Sequence, residues 1–273
     1  MNAQVPPAGQ EHLLVVGDDG SPGADVAWLW VCNHRWPGWR AEVLTATPPP
    51  IPPSRDIVSE PHEWDSPHPR LLVAQSELVS VRHLVDATDP RVLLSAPRPA
   101  DLLVVGPRGV GRVRALLVGS TTEWLLHHPP APTAIIRSAT PVRRVLACVD
   151  GSAHAQAAVS AFCRLPWAVD TAVTVLGVYD GWSAADAGQA AAMKTLAASG
   201  VRASTLDVWG KATHAILGHV DEIDPQLIVL GTRGLSAWRP LRLGSTASAV
   251  VRAAGCSALV ACAPDEPAEA RGG

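Results

Sequence analysis

The sequence predicts an α/β protein made of two tandem domains, each built on a parallel sheet that is covered by helices on both faces. Two observations support this prediction. Short apolar segments that read as buried strands alternate along the chain with segments that can form helices, which is typical of a parallel sheet. One loop pattern also occurs twice, at a constant offset of 125 residues. Self-similarity at that distance indicates duplicated domains rather than a solenoid, whose repeat is shorter.

The repeated pattern is a glycine loop that follows a predicted strand and precedes a predicted helix. Loop one reads Gly106-x2-Gly109-x9-Gly119-Ser120-Thr121, and loop two reads Gly231-x2-Gly234-x9-Gly244-Ser245-Thr246. Glycine lets the backbone approach a ligand closely, and the unpaired N–H groups at a helix start favour an anion. The pattern therefore predicts a phosphate site in each half.

Each half also begins with a short apolar strand that ends in Asp-Gly-Ser, at Asp19 in the first half and at Asp150 in the second. In an open parallel sheet, ligands bind beyond the carboxyl ends of the strands where the strand order reverses, and strands one and four commonly flank that point. We therefore expect Asp19 and Gly106 to share one crevice, and Asp150 and Gly231 to share a second.

The elements of the first half follow from hydrophobic periodicity and from proline. The run of prolines that begins at Pro48 excludes regular structure and opens a long loop to Arg70. Strands are predicted at residues 13–17, 41–47, 81–85, 102–105 and 134–137, and helices at 24–35, 71–80, 90–96 and 122–127.

The second half has more regular alternation. Its strands are predicted at residues 144–149, 172–178, 202–208, 227–230 and 257–261, and its helices at 155–165, 187–199, 213–221 and 247–253. The last strands of the two halves are apolar and would otherwise be open sheet edges, which proteins tend to cover. We therefore expect them to pack against each other as a pseudo-symmetric pair.

Length and composition fit two domains, at residues 1–140 and 141–273, with a disordered tail from about residue 264. The net charge of −3 gives no basic field for nucleic acid. No apolar run approaches the ~20 residues that a membrane span needs, so no membrane partner is expected. Residues 1–10 do not resemble a secretory signal, and the five cysteines lack CxxC spacing, which favours free thiols in the cytoplasm.

These motifs resemble the universal stress protein family, whose ATP-binding branch has the pattern G-x2-G-x9-G-[ST] after strand four and an Asp-Gly-Ser-like turn after strand one. The resemblance covers residues 12–264 and is greatest to the tandem form of actinobacteria. It implies two Rossmann-like domains, each with a five-stranded parallel sheet of order 3-2-1-4-5. It also implies adenine and ribose near Asp19 or Asp150, triphosphate on the glycine loop, and pairing through the last strand.

The predicted ligand is ATP with Mg²⁺. Ser120 and Ser245 are expected to be helix N-caps whose hydroxyls also donate to phosphate, and the arginines of the loops are expected to pair with it. The candidate binding residues are Gly17, Asp19, Gly106, Arg108, Gly109, Arg112, Gly119, Ser120 and Thr121 in the first half, and Asp150, Gly231, Arg233, Gly234, Gly244, Ser245 and Thr246 in the second. No residue is assigned a catalytic role.

The two loops differ at one backbone donor. Pro107 removes an N–H group that Thr232 keeps, and Asp18 adds a carboxylate that repels phosphate or helps to hold a divalent ion. Although Arg108, Arg112 and Arg114 make loop one more basic, the fixed N–H group favours the second half as the tighter site.

The favoured function is a cytoplasmic, tandem nucleotide-binding protein of stress response or signalling, in which ATP acts as a switch for an unknown protein partner. Two alternatives stay open: an interaction module that has lost nucleotide and works by dimerising, including a homodimer through the terminal strands, and a weak nucleotide-hydrolysing enzyme. Neither glycine loop contains a lysine, and no paired base and nucleophile is evident. Hydrolysis is therefore expected to be slow or absent.

Overall fold

The computed structural model of the 273-residue chain describes residues 11–47, 76–108, 118–179, 185–234 and 243–263. Within these ranges strands and helices alternate as the sequence predicts. The strands are β1 His12–Gly17, β2 Trp39–Ala46, β3 Ser80–Asp86, β4 Leu102–Val105, β5 Thr133–Ile135, β6 Arg144–Val149, β7 Ala172–Tyr179, β8 Arg202–Trp209, β9 Leu227–Gly231 and β10 Ser257–Ala261. The helices are α1 Pro22–Cys32, α2 Pro90–Ser95, α3 Ser120–His127, α4 Ala153–Cys163, α5 Ala185–Ala198, α6 Ala212–Ile223 and α7 Ser245–Ala253.

The strands of both halves form one continuous sheet in the order β3-β2-β1-β4-β5-β10-β9-β6-β7-β8. Inside each half the pairing is parallel, with β1 between β2 and β4 and with β6 between β7 and β9. Counted within each half, the strand order is 3-2-1-4-5. This confirms the predicted fold and places strands one and four of each half side by side.

The two halves join through their last strands, β5 and β10. These strands pair antiparallel, with Ile135 opposite Ala258 and Thr133 opposite Val260. The prediction that the two halves pack through these strands is confirmed. A homodimer through the same strands would have to break this pairing, because β5 and β10 each have a neighbouring strand on both sides.

A cluster of tryptophans packs the two halves together on one face of the sheet. Trp30 and Trp36 of the first half make edge contacts with Trp167 of the second, with ring centroids 5.6 and 6.1 Å apart. Edge-to-face pairs of this kind contribute about 0.5–1.5 kcal/mol beyond their burial. Trp28 and Trp30 are only 6% and 1% exposed, and both belong to the same hydrophobic core. The tryptophans of this cluster therefore pack as core residues.

Several predicted boundaries differ from the structure by one to three residues, and two of the differences have clear local reasons. Helix α1 begins at Pro22 rather than at residue 24, because Ser21 is its N-cap and proline fits the first helical position. Of the predicted helix 71–80, residues 71–75 lie outside the described ranges, and the remainder is not α-helical. Glu77 has a φ of 55°, and the Val79 N–H donates to the Trp39 carbonyl, which draws this segment towards the sheet.

At the edge of the sheet opposite the predicted sites, Asp101 and Gln226 occupy matching positions. The Leu13 N–H donates to Asp101 Oδ2 at 2.9 Å, and the Arg144 N–H donates to Gln226 Oε1 at 2.8 Å. Each side chain therefore connects the start of the first strand of its half to the start of the fourth.

The prolines of residues 48–75 and the tail from 264 lie outside the described ranges. Among the described helices, none has the length and apolar composition that a membrane span needs.

Candidate functional site

The crevice of the first half contains a cavity of about 560 Å³. It lies at the carboxyl ends of β1, β2 and β4, next to the start of α3, where the topology of an open α/β sheet places ligands. One part of its wall is apolar and is formed by Leu44, Ala46, Leu93, Leu94 and Val105. The other part is polar and is formed by Asp18, Asp19, Arg108, Gly119, Ser120 and Thr121. The structure thus brings together the predicted residues of strand one and of loop one.

Gly17 keeps the apolar part of this cavity open. A Cβ atom at Gly17 would lie 3.1 Å from Val105 Cγ1 and 3.2 Å from Leu94 Cδ1, which is closer than ordinary contact. In the second half, the residue at the matching register is Cys148, because Gly17 pairs with Leu44 and Cys148 with Leu176. Burial raises the pKa of the Cys148 thiol, which keeps it uncharged. The two crevices therefore differ at this wall.

The Asp-Gly-Ser turn is fastened to the glycine loop in the same way in both halves. Ser21 caps α1 by accepting the Ala24 N–H at 3.2 Å, and its hydroxyl donates to the Arg108 carbonyl at 3.3 Å. Ser152 likewise accepts the Ala155 N–H at 3.2 Å, and its hydroxyl donates to the Arg233 carbonyl at 3.1 Å. The serine of this turn is therefore a structural link, which its sequence position alone did not reveal.

The carboxylates of the turn are held by backbone N–H groups. Asp19 Oδ1 accepts the Ser21 N–H at 3.1 Å, and Asp150 Oδ1 accepts the Ser152 N–H at 3.0 Å. Asp18 is 4% exposed and its Oδ1 accepts the Gly20 N–H at 3.0 Å. These bonds fix the first-half carboxylates in the cavity wall.

The first glycine of each loop is required by packing of the helix against the strand. A Cβ atom at Gly106 would lie 2.7 Å from the backbone C and O of Gly23, and one at Gly231 would lie 2.5 Å from the Ala155 N. Gly106 and Gly231 therefore let α1 and α4 approach the sheet closely. The phosphate role that the sequence assigns to these glycines stays a prediction, and the structure adds this packing contact, with Gly106 also lining the cavity.

The last glycine of each loop, rather than the serine after it, is the helix N-cap. Gly119 caps α3 and Gly244 caps α7, while Ser120 and Ser245 are the first helical residues. Within the described residues, neither helix has a side-chain cap hydrogen bond. The prediction that the serines are caps is wrong, because glycine occupies the extended position before each helix. The first-turn N–H groups of Ser120, Thr121, Ser245 and Thr246 have no acceptor inside a helix and suit an anion.

Both loops close with the same backbone hydrogen bond. The Gly119 N–H donates to the Pro107 carbonyl and the Gly244 N–H donates to the Thr232 carbonyl, each at 2.7 Å.

Of the other predicted residues, Gly109 and Arg112 lie outside the described ranges. Gly234 is described, and a Cβ atom there would lie 2.4 Å from Asp150 Oδ2, so the glycine makes room for this carboxylate.

The N–H group that was expected to favour loop two is already engaged. The Thr232 N–H donates to the Ala261 carbonyl at 2.9 Å, as a continuation of the β9–β10 ladder. It therefore cannot serve as the additional phosphate donor that the comparison of Pro107 with Thr232 predicts. The ranking of the second site above the first loses its physical basis.

Arg137 is a cationic residue near loop one that the motifs did not reveal. Burial lowers the pKa of Arg137, the nearby Cys256 thiol offsets part of this lowering, and the positive charge of Arg108 adds to it. Arg137 Nη2 donates to the Val251 carbonyl at 2.8 Å, at the end of α7. Both arginines belong to the first half, and Arg137 reaches the second half through the Val251 carbonyl.

Comparison with known proteins gives one consistent family. A family model described as the universal stress protein family matches the chain twice, over residues 12–137 and 141–261. The universal stress protein Rv2624c of Mycobacterium tuberculosis is 33% identical over 134 residues, which are 46% of this chain and 48% of the relative. Rv2623 of the same organism is 30% identical over 172 residues, which are 53% and 56%. The matched stretch spans about half the length of each relative.

Solved structures give the same fold. A universal stress protein from Archaeoglobus fulgidus covers 94% of this chain and 100% of its own, with a TM-score of 0.69 and 21% identity. The functionally unknown protein PA1789 from Pseudomonas aeruginosa covers 93% of both chains, with a TM-score of 0.59 and 14% identity. At these identities the likeness shows the fold alone, and it agrees with two Rossmann-like domains in tandem.

Proposed function

The chain belongs to the universal stress protein family, and we propose that it binds ATP in the crevice of its first half. The observation that carries this proposal is the cavity of about 560 Å³, whose wall combines apolar side chains of β2, α2 and β4 with polar groups of the Asp-Gly-Ser turn and loop one. Its volume lies within the ~300–1,000 Å³ of small-molecule sites, which combine a mostly apolar lining with a few polar groups. A nucleotide has the same division into an apolar base and a charged phosphate chain.

Each part of the wall suits one part of the nucleotide. Leu44, Leu93 and Leu94 are at most 9% exposed and offer apolar surface to the base. The Asp19 carboxylate is an acceptor for a ribose hydroxyl. The first-turn N–H groups of Ser120 and Thr121 suit phosphate oxygens, and the Arg108 guanidinium adds a positive charge.

The same wall fits the Mg²⁺ that accompanies ATP. Asp18 and Asp19 supply carboxylate oxygens, the ligands that Mg²⁺ prefers, and Mg²⁺ usually binds through one or two carboxylates together with substrate phosphates. When bound, the ion would supply positive charge that screens these carboxylates from the phosphates.

The second half keeps the phosphate part of this arrangement. Gly244 caps α7 as Gly119 caps α3, and loop two closes with the same 2.7 Å bond. We therefore include loop two as a second anion site. We propose the first half as the tighter site, because its described residues line a cavity of suitable size and because the engaged Thr232 N–H gives loop two no additional donor.

The proposed role of the nucleotide is that of a switch for a partner surface in a cytoplasmic stress response. Hydrolysis is slow or absent in this proposal, because the described residues of the first-half wall include binding groups but neither a lysine nor a nucleophile next to a base. The alternative, an interaction module that has lost nucleotide, predicts that calorimetry detects no ATP binding.

Calorimetry with ATP and with tripolyphosphate tests the proposal. We expect ATP to bind more tightly by at least about ten-fold, because only ATP places a base against the apolar wall. Mass spectrometry of the ligand released by heat denaturation should identify an adenine nucleotide. Absence of ATP binding would favour the interaction module, and equal binding of the two ligands would contradict the role of the apolar wall.

A further inference from the structure

Helix α3 extends from loop one to loop two. It begins at Ser120, the last part of loop one, and its final residue His127 contacts the other half of the chain. The Leu243 N–H donates to His127 Nδ1 at 3.2 Å. Leu243 directly precedes Gly244, the N-cap of α7. A side chain of the first half therefore holds the backbone where loop two leads into its helix.

The hydrogen bonds define the tautomer of His127. Because Nδ1 accepts a hydrogen bond from a backbone N–H, the ring proton is on Nε2. Nε2 lies 3.4 Å from Glu123 Oε1, and the same carboxylate oxygen accepts a hydrogen bond from Arg252 of α7. Glu123 thus orients the ring, and Arg252 ties Glu123 to the second half. The ring is thus held on both sides and presents Nδ1 as a defined acceptor for Leu243.

We propose that His127 is a positioning residue for loop two, supplied by the first half of the chain. By holding Leu243, it fixes the direction in which the backbone enters α7, and hence the direction of the first-turn N–H groups of Ser245 and Thr246. Leu243 is only 8% exposed, so water does not readily replace the lost acceptor. The consequence for ligand binding rests on the anion site proposed for loop two.

A simple helix-dipole role for His127 makes a different prediction. A cation in the last turn of a helix interacts favourably with the negative helix end whatever its hydrogen bonds. The contact with Leu243 instead needs an acceptor at the position of Nδ1. The two nitrogen atoms can be tested separately, because Asn places its Oδ1 near Nδ1, whereas Gln places its amide near Nε2.

Hydrogen exchange of the unliganded protein tests the positioning role directly. In His127→Gln, which retains a donor for Glu123 and loses the acceptor for Leu243, we expect the Leu243 amide to exchange about three- to ten-fold faster. In the matched variant His127→Asn, we expect exchange close to that of the wild type. Equal exchange in all three proteins, or equal acceleration in both variants, would overturn the proposal.

Affinity at loop two tests the consequence for binding. The background is Gly119→Glu, which places a negative charge at loop one and leaves loop two as the anion site. We expect ATP to bind about three- to ten-fold more weakly when His127→Gln is added, because one hydrogen-bond constraint is lost. With His127→Asn instead, we expect the ATP affinity of the background protein. Equal ATP affinity for both variants, or no binding at loop two, would overturn the consequence for binding. Failure of ATP to bind the wild type at either loop would refute the proposed function instead, and hydrogen exchange would still decide the role of His127.

Discussion

Acid should destabilise the fold through one buried histidine at the junction of the two halves. His34 is 5% exposed, and its Nε2 accepts the Val142 N–H at 3.0 Å. Its Nδ1 therefore carries the proton and donates to the Trp30 carbonyl at 2.7 Å. The ring lies 4.4 Å from Trp167, between tryptophans of both halves. A second proton would remove the acceptor for Val142.

The size of the effect follows from the pKa. Burial lowers the pKa of His34 from 6.5 to about 4, the Trp30 carbonyl offsets part of this lowering, and the charge of Arg143 adds to it. Because the folded-state pKa lies below the unfolded-state value, the unfolded chain takes up the proton first as the pH falls. The free energy of unfolding is therefore retained above pH 6.5 and falls by about 3 kcal/mol between pH 6.5 and 4.

Urea unfolding followed by tryptophan fluorescence at several pH values measures this loss. His34→Gln does not titrate, and its side-chain carbonyl can accept the Val142 N–H. We expect the free energy of unfolding of this variant to fall less with acid than that of the wild type, because His34 no longer takes up a proton. The wild type should therefore lose about 3 kcal/mol more than the variant between pH 7 and pH 4. Parallel pH curves for the two proteins would refute the assignment of a buried, neutral His34.

Three further outcomes are expected. Thr122→Val removes the 3.0 Å hydrogen bond from the Thr122 hydroxyl to the Gly106 carbonyl and should lower the free energy of unfolding by about 1–3 kcal/mol in urea titrations; an unchanged midpoint would contradict this. Gly106→Ala places a Cβ atom 2.7 Å from the Gly23 backbone and should lower the melting temperature, whereas the control Gly255→Ala meets nothing within 4 Å; equal melting of both would contradict the packing role. Steady ATP turnover should stay below about 1 s⁻¹, and a faster rate that persists through further purification would show an enzyme.

Local patterns in the sequence predicted the elements of the fold and the position of the first-half cavity, whereas the strand order came from the family resemblance. Hydrophobic periodicity and glycine geometry depend on a few neighbouring residues. The apolar strands, the Asp-Gly-Ser turns and the loops at Gly106 and Gly231 could therefore be located from the sequence around them. The strand order then brings Asp19 next to loop one. The contact between β5 and β10 was also predicted, since both strands are apolar and end their halves, and the structure adds that they pair antiparallel.

Contacts between distant residues account for what the sequence did not show. The Thr232 N–H looks available in a loop motif, but its acceptor is the Ala261 carbonyl of the neighbouring strand. The serines after Gly119 and Gly244 resemble N-caps, but only backbone dihedral angles show which residue is extended. The partner of His127 lies 116 residues away, so no spacing rule identifies it.

The most direct test of the proposed function is calorimetric titration of ATP into the wild type and into Gly119→Glu. Gly119 lines the cavity and caps α3, so a glutamate there puts a negative charge where phosphate is proposed to bind. Two like charges about 4 Å apart near a protein surface repel by about 4 kcal/mol, which corresponds to a loss of at least about a hundred-fold in affinity. We predict that Gly119→Glu loses the tighter ATP site, while Gly244→Glu retains it. Equal ATP affinity for the tighter site in wild type and Gly119→Glu would contradict the account.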